Sequence, residues 1–106
     1  MPLMGEAFPE ITGVLVGLLA DMGEPDLAAR LPRQGFCGRC GCKPGCTFVQ
    51  TAPAGSSGSL MLWLEAGGNI VGEVSLDPGG RFVTDFDLCD CAAVGVRPDW
   101  VDAASL

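Results

Sequence analysis

The stretch Leu60-Met-Leu-Trp-Leu-Glu-Ala-Gly-Gly-Asn-Ile-Val-Gly-Glu-Val-Ser-Leu76 decides the fold class of this 106-residue chain. Its first half predicts a strand with two different faces, because Leu60, Leu62 and Leu64 alternate with Met61, Trp63 and Glu65. Gly67-Gly-Asn69 then predicts a tight turn into a second strand that runs from Ile70 to Leu76. Two strands joined by so short a turn must be antiparallel.

The chain on both sides of this hairpin extends the sheet. Asp77-Pro-Gly-Gly80 predicts another turn, into a strand between Arg81 and Cys91, and residues 47–51 also have strand character. We therefore expect an antiparallel meander of three to four strands over about residues 47–91, with residues 53–58 as a flexible loop. Alternation in the last strand predicts a core face of Phe82, Thr84, Phe86 and Leu88. The opposite face would carry Val83, Asp85, Asp87, Cys89 and Cys91.

The first third of the chain predicts a helical hairpin over about residues 9–31. Pro9 suits a first helical position, and Gly23 and Pro32 suit the ends of two successive helices. The first helix shows amphipathic spacing, with apolar residues at Ile11, Val14, Leu15, Leu18, Leu19 and Met22. A second stripe on this helix consists of small residues, Gly13, Gly17 and Ala20. It would let another backbone approach closely, either that of the sheet in the same chain or that of a dimer partner.

These patterns together predict a single α+β domain. Its order is a helical hairpin, a cysteine loop at residues 37–46, the β-meander, and a C-terminal tail or short helix at residues 97–104. The last helix is expected because Pro98 would occupy its first position.

Six cysteines demand a chemical explanation. Four lie in Cys37-Gly-Arg-Cys-Gly-Cys-Lys-Pro-Gly-Cys46, interleaved with glycine and charge, and two lie in Cys89-Asp-Cys91. The N-terminus shows no basic export signal, and the apolar run from Ile11 to Ala20 is too short to span a bilayer. We therefore expect a cytoplasmic protein, in which clustered cysteines indicate a metal site or redox thiols, whereas disulfides would apply to an exported chain.

The cysteine loop resembles known metal-binding sequences. Cys37-Gly-Arg-Cys-Gly41 resembles the knuckle of zinc ribbons and treble-clef domains, in which a tight turn brings two sulfurs to one ion. More loosely, the loop looks like those of small, uncharacterised bacterial proteins, a similarity that supplies no function. Zinc, as one ion, is the expected metal, with iron or copper left open. The candidate ligands are Cys37, Cys40, Cys42, Cys46, Cys89 and Cys91.

Six thiols exceed the four that a tetrahedral site needs. One arrangement joins both clusters through Cys37, Cys40, Cys89 and Cys91. The other is local and uses Cys37, Cys40, Cys42 and Cys46. We prefer the site that joins both clusters, because it gives the second cluster a reason to exist.

Charge and composition limit the classes of molecule that the chain is expected to bind. The net charge is −7, yet no acid lies between Leu27 and Leu64, a segment that holds four of the six cations. A chain this acidic is a poor ligand for nucleic acid, and no membrane partner is indicated. The high apolar content and the small-residue stripe predict burial against a protein partner or a second copy, giving a homodimer.

The absent residue types argue against an enzyme. The chain has no histidine and no tyrosine, so cysteine–histidine and serine–histidine nucleophile pairs are impossible. The expected function is a metal-stabilised, non-enzymatic module for protein–protein interaction. Two alternatives are a thiol redox enzyme or sensor that uses Cys37 and Cys40, and a carrier or sensor of soft metal ions.

Overall fold

A computed structural model describes residues 2–39, 46–53, 58–97 and 100. It shows an α+β fold, as predicted, with three α-helices and a five-stranded antiparallel sheet in this part of the chain. The helices are α1 (Met4–Ala7), α2 (Pro9–Asp21) and α3 (Pro25–Arg30). The strands are β1 (Gly38–Arg39), β2 (Phe48–Gln50), β3 (Leu60–Ala66), β4 (Asn69–Leu76) and β5 (Val83–Asp87). Two 3-10 segments follow α3 and β5, at Leu31–Arg33 and Ala92–Val94.

The predicted helical hairpin is confirmed. Proline occupies the start of both α2 and α3, where its missing N–H costs no intrahelical hydrogen bond. Between the helices, Gly23 adopts a φ of 80°, a left-handed conformation that glycine accepts without strain. Four residues of the predicted apolar series form the buried side of α2 together with Thr12, namely Ile11, Leu15, Leu18 and Leu19, while Val14 and Met22 are partly buried.

A short helix at the N-terminus, α1, has no counterpart in the sequence prediction. Met4 within it is fully buried, and its carbonyl accepts a hydrogen bond of 2.9 Å from the hydroxyl of Thr12. Leu3 forms an isolated antiparallel bridge with Gly35. Contacts with distant residues therefore fix this turn, which is too short to be stable through local propensity.

The strand order is β1-β2-β5-β4-β3, with antiparallel neighbours throughout. The meander of β3, β4 and β5 is confirmed. The strand predicted at residues 47–51 is present as β2, but it pairs with β5 instead of with β3, which follows it in sequence. The cysteine loop contributes the edge strand β1, and β3 forms the opposite edge.

A β-bulge corrects the predicted face of two residues in the last strand, whereas Thr84, Phe86 and Leu88 are buried as expected. Ser75 pairs with Asp85, but the next residue, Leu76, pairs with Val83, so β5 carries one extra residue there. The extra residue reverses the alternation. Val83 is consequently fully buried, whereas Phe82, which was expected in the core, is 39% exposed.

The helices and one face of the sheet share a hydrophobic core. Sheet residues in this core include Val49, Leu64, Val74 and Phe86. Trp100 closes it, with its ring stacked on Phe86 at 6.0 Å and edge-on to Phe8 at 5.2 Å. This face of the sheet is called the inner face below, and the opposite one the outer face.

One packing prediction for α2 is wrong. Gly13, Gly17 and Ala20 are exposed, and a Cβ placed on either glycine would meet nothing within 4 Å. The stripe therefore does not contact the sheet, because the larger residues of α2 face the sheet instead. Contact of the stripe with a dimer partner stays a prediction. The expected helix at residues 97–104 lies outside the described residues except for Arg97 and Trp100. Within the described part of the chain, no helix has the length and apolar character needed to cross a bilayer.

Candidate functional site

The spacer of the first cysteine pair is extended. Gly38 and Arg39 pair with Gln50 and Val49 as strand β1, so these two residues do not form the tight turn that the zinc-knuckle resemblance implies. Cys37 lies beside the last residue of β2, and its backbone N–H donates a hydrogen bond to the carbonyl of Gln50 at 2.9 Å. Its thiol faces the carbonyl oxygen of Gly35 at 3.7 Å.

Two other thiols lie at the opposite end of the sheet. Phe48 of β2 pairs with Asp87 of β5, and Cys46 and Cys89 each lie two residues beyond this pair. The hydroxyl of Thr47 donates a hydrogen bond to the carboxylate of Asp87, which ties the two segments together. Measured along the direction of β2, Cys46 and Cys37 are about 16 Å apart, at ~3.3 Å per residue. The topology thus brings the second cysteine cluster near one end of the cysteine loop and far from the other.

Cys89 and Cys91 do not share a strand face, contrary to the prediction. β5 ends at Asp87, and the chain then turns into the 3-10 segment. Cys89 is exposed, whereas Cys91 is 6% exposed and belongs to the hydrophobic core. The Cys91 thiol donates to the carbonyl of Leu88 at 3.5 Å.

Both of these thiols are held in the neutral form. Burial raises the pKa of the Cys91 thiol above its ordinary value, and the side chain of Trp100 offsets part of that rise. Desolvation also raises the pKa of Cys89, and the carboxylates of Asp87 and Glu73 raise it further. Because the thiolate is the reactive form of cysteine, neither position is activated for nucleophilic chemistry.

The remaining candidate ligands, Cys40 and Cys42, lie outside the described residues. Among residues 2–39, 46–53, 58–97 and 100, no three cysteines or carboxylates are grouped so that they could hold a metal ion. Of the described cysteines, Cys46 and Cys89 are the two that strand pairing places on neighbouring segments at the same end of the sheet.

The outer face of the sheet offers a different kind of site. Three large apolar side chains lie on this face, where β3 and β4 meet; Met61 and Trp63 are each 50% exposed and Ile70 is 56% exposed. Ile70 is placed on this face by a bulge in β4 that pairs it with Glu65. At the other end of the face, Gly58 packs closely against Ser75, since a Cβ at position 58 would lie 2.3 Å from the Cβ of Ser75.

Four carboxylates border these apolar side chains. Glu73 lies opposite Trp63 on one side and opposite Asp87 on the other, while Asp85 and Glu65 occupy neighbouring positions on the same face. Like charges directly opposite on neighbouring strands destabilise a sheet. We call the set Met61, Trp63, Glu65, Ile70, Glu73, Asp85 and Asp87 the acidic-apolar face.

The acidic-apolar face was not predicted from the sequence, although a signal for it is present there. β3 is apolar at six of its seven positions, so a strand with one side in the core necessarily shows apolar side chains to solvent on the other. The alternation at Met61 and Trp63 revealed two faces, but it did not reveal which face the helices cover.

Comparison with known proteins supplies no relative. The chain matches no protein-family model. Neither curated proteins nor solved structures give a significant match to it.

Proposed function

We propose that this chain is a non-enzymatic protein-interaction module that binds through its acidic-apolar face, and that its partner is a cationic protein segment with apolar side chains. The single observation that carries the proposal is the half-exposed ring of Trp63, set between Met61 on its own strand and Glu73 on the next. Exposed aromatic residues with a charged border are typical of protein interfaces.

The apolar part of the face supports association. Met61, Trp63 and Ile70 each leave about half of the side chain in water, and covering that area with a partner is favourable by roughly 25 cal/mol per Å². Trp63 has the further advantage of a large, rigid ring, which loses little conformational entropy when it is immobilised.

The charged part of the face selects the partner. Glu65, Glu73, Asp85 and Asp87 place four carboxylates around the apolar side chains. A second copy of the chain packed face to face would bring two such sets together, and like-charge juxtaposition disfavours a partner. Lysine or arginine side chains would instead relieve the repulsion between Glu73 and Asp87.

The edge of the sheet favours an extended partner. β3 is the terminal strand of the described sheet, so its outer row of backbone N–H and C=O groups is available to another strand. An added strand would lie beside Met61 and Trp63, and the backbone pairing would contribute affinity while the alternate side chains contribute specificity.

Site-specific photo-cross-linking tests the proposal. A photoreactive amino acid at position 61 should capture a partner segment that is both basic and apolar, with a yield that falls as salt is raised. The matched control carries the same amino acid at position 13, on the exposed side of α2, and should give no such product. Capture of a second copy alone, or equal products from both positions, would contradict the proposal.

A zinc ion is proposed as the stabilising element at the cysteine end of the sheet. What supports it is the position of Cys46 and Cys89 two residues beyond the Phe48–Asp87 pair, beside a loop that holds two further cysteines in sequence. Cys37 is displaced along the sheet and Cys91 is buried in the core, so Cys40, Cys42, Cys46 and Cys89 are the ligands proposed for one ion. Four thiolates would close the site and supply folding energy without catalysis.

Thiol redox chemistry is a weaker candidate than binding. A reactive Cys-x-x-Cys pair has its first thiol activated at a helix start, but here Cys37 precedes a strand. A soft-metal carrier stays an alternative to a structural site. Chelator titration separates the two, because a carrier keeps its fold after the metal leaves.

A further inference from the structure

A concave site of a different character lies at the end of the sheet away from Cys46 and Cys89. Its cavity is about 460 Å³, within the range of roughly 300–1,000 Å³ that small-molecule sites occupy. The described residues that line it come from α3, the following 3-10 segment, and the adjoining ends of β2 and β5. They include Arg30, Arg33, Gln34, Gly35 and Phe82.

Two arginines supply positive charge to this cavity. Arg30 and Arg33 are three residues apart and both are exposed. Arg30 is oriented by a hydrogen bond from its Nη1 to the carbonyl of Arg81. Arg33 makes no hydrogen bond or ion pair with the described residues, so its planar set of N–H donors is available to a ligand.

No carboxylate is present among the described lining residues. The chain as a whole carries a net charge of −7, yet every described lining residue except Phe82 belongs to the segment between Leu27 and Leu64, which contains no acid. Small anions are therefore repelled by most of the surface and attracted here, since a cleft lined by one sign of charge concentrates its counter-ion.

Phe82 adds a flat apolar wall. The bulge between Ser75 and Leu76 on the neighbouring strand turns this ring out of the core, and it is 39% exposed at the cavity. Bulges often re-aim a side chain beside a functional site. An aromatic ring in this position can stack against a planar group of a ligand.

A double hydrogen bond holds the two halves of the cavity together. The amide of Gln34 donates to the carbonyl of Val83 at 2.6 Å and accepts from its N–H at 3.1 Å. Gln34 follows Arg33 in sequence and Val83 follows Phe82, so this link fixes the backbone at Arg33 relative to the backbone at Phe82. The backbone frame of the site is thus in place before a ligand arrives, which lowers part of the entropic cost of binding.

We propose that this cavity binds a small organic anion, in which a carboxylate or phosphate contacts Arg33 and Arg30 and a planar apolar group stacks on Phe82. Guanidinium groups bind both anions through paired, charge-assisted hydrogen bonds. This site is separate from the acidic-apolar face and from Cys46 and Cys89 at the opposite end of the sheet, whereas Cys37 lies beside it, with its thiol facing the carbonyl of Gly35.

Titrations followed by ¹⁵N amide chemical shifts test the proposal with defined probes. Phenyl phosphate and benzoate should shift the amides of Gly35 and Phe82 saturably, and their relative affinities identify the preferred anion. Inorganic phosphate and benzyl alcohol, which each lack one half of the pharmacophore, should bind about tenfold more weakly or not at all.

Variants assign the binding to the named residues. Arg33→Gln should weaken phenyl phosphate about tenfold, the loss expected for a charge-assisted hydrogen bond, whereas Arg97→Gln, with an equal change of charge, should leave it unchanged. Phe82→Ala should lower the affinity for phenyl phosphate to that for inorganic phosphate, with circular dichroism to verify the fold. If neither probe gives saturable shifts, or if Arg33→Gln and Arg97→Gln behave alike, the proposal is overturned.

Discussion

Glu73 and Asp87 are direct cross-strand neighbours on the outer face of the sheet, paired in the register of β4 and β5. Two carboxylates in this relationship repel each other. The unpartnered chain thus keeps an unfavourable contact at the centre of its acidic-apolar face, which a cationic partner would convert into a favourable one.

Removing one of these charges should stabilise the free protein. Glu73→Gln is expected to raise the free energy of unfolding by about 0.2–1 kcal/mol, the scale of a cross-strand pair, as measured by urea denaturation. Glu65→Gln is the matched control, because Glu65 faces Ile70 and should change stability little. A loss of stability in Glu73→Gln would contradict the assigned register.

Gly72 is required for the close approach of two chain segments. A Cβ at this position would lie 2.4 Å from the carbonyl oxygen of Asp87 and 3.0 Å from the Cα of Leu88. Gly72→Ala should therefore lower the free energy of unfolding by about 1–3 kcal/mol, the usual cost of overpacking. Thermal or chemical denaturation measures it.

The same substitution in α2 provides the control. A Cβ at Gly17 meets nothing within 4 Å, and alanine is a better helix former than glycine by roughly 1 kcal/mol. Gly17→Ala should therefore raise stability. Equal effects of the two substitutions would show that Gly72 is not closely packed.

Asp77 organises the turn between β4 and β5. Its Oδ1 accepts hydrogen bonds from the backbone N–H groups of Arg81 at 2.6 Å and Phe82 at 2.9 Å, and its Oδ2 accepts one from Gly79 at 3.2 Å. The Phe82 bond is the main cause that lowers the pKa of Asp77, opposed by desolvation, with the bonds from Arg81 and Gly79 adding to the lowering.

Because the pKa of Asp77 is lower in the folded than in the unfolded state, the ionised carboxylate stabilises the fold. The contribution of Asp77 is fully present above the unfolded pKa of about 3.9, and it is lost as pH falls through the lower, folded value. Asp77→Asn should therefore reduce thermal stability at neutral pH and flatten its decline below about pH 4. Asp21→Asn, at the end of α2, is the control, and an unchanged acid profile in Asp77→Asn would refute the assignment.

The zinc proposal predicts which cysteines matter. Cys46→Ser and Cys89→Ser should lose zinc from protein purified without chelator, whereas Cys37→Ser should keep it, because Cys37 is displaced by about 16 Å along the sheet. Elemental analysis gives the stoichiometry. Wild-type protein with less than about half an equivalent of zinc, or equal loss in all three variants, would contradict the proposed site.

The elements predicted well are those that local patterns determine. The spacing of apolar residues in α2 and the prolines at the starts of both helices depend only on neighbours in sequence. The β3–β4 hairpin is likewise determined by its two-glycine turn, in which both glycines have positive φ.

The features that escaped prediction depend on contacts between distant residues. Nothing in the alternation of β5 reveals the bulge that exposes Phe82, because its cause is the register with β4. The burial of Cys91 follows from the chain turning inward after Asp87. The pairing of β2 with β5 brings Cys46 toward Cys89, so the candidate ligand set could not be chosen from spacing alone.

The fluorescence of Trp63 reports on occupancy of the acidic-apolar face, because Trp63 is 50% exposed whereas Trp100 is 8% exposed. The measurement is acrylamide quenching of tryptophan fluorescence during titration with a ten-residue peptide of alternating lysine and valine. We expect saturable protection of Trp63, weakened in Glu73→Gln and absent with a glutamate–valine peptide or a lysine–serine peptide. Unchanged quenching with the lysine–valine peptide, or equal protection by the glutamate–valine peptide, would contradict this expectation.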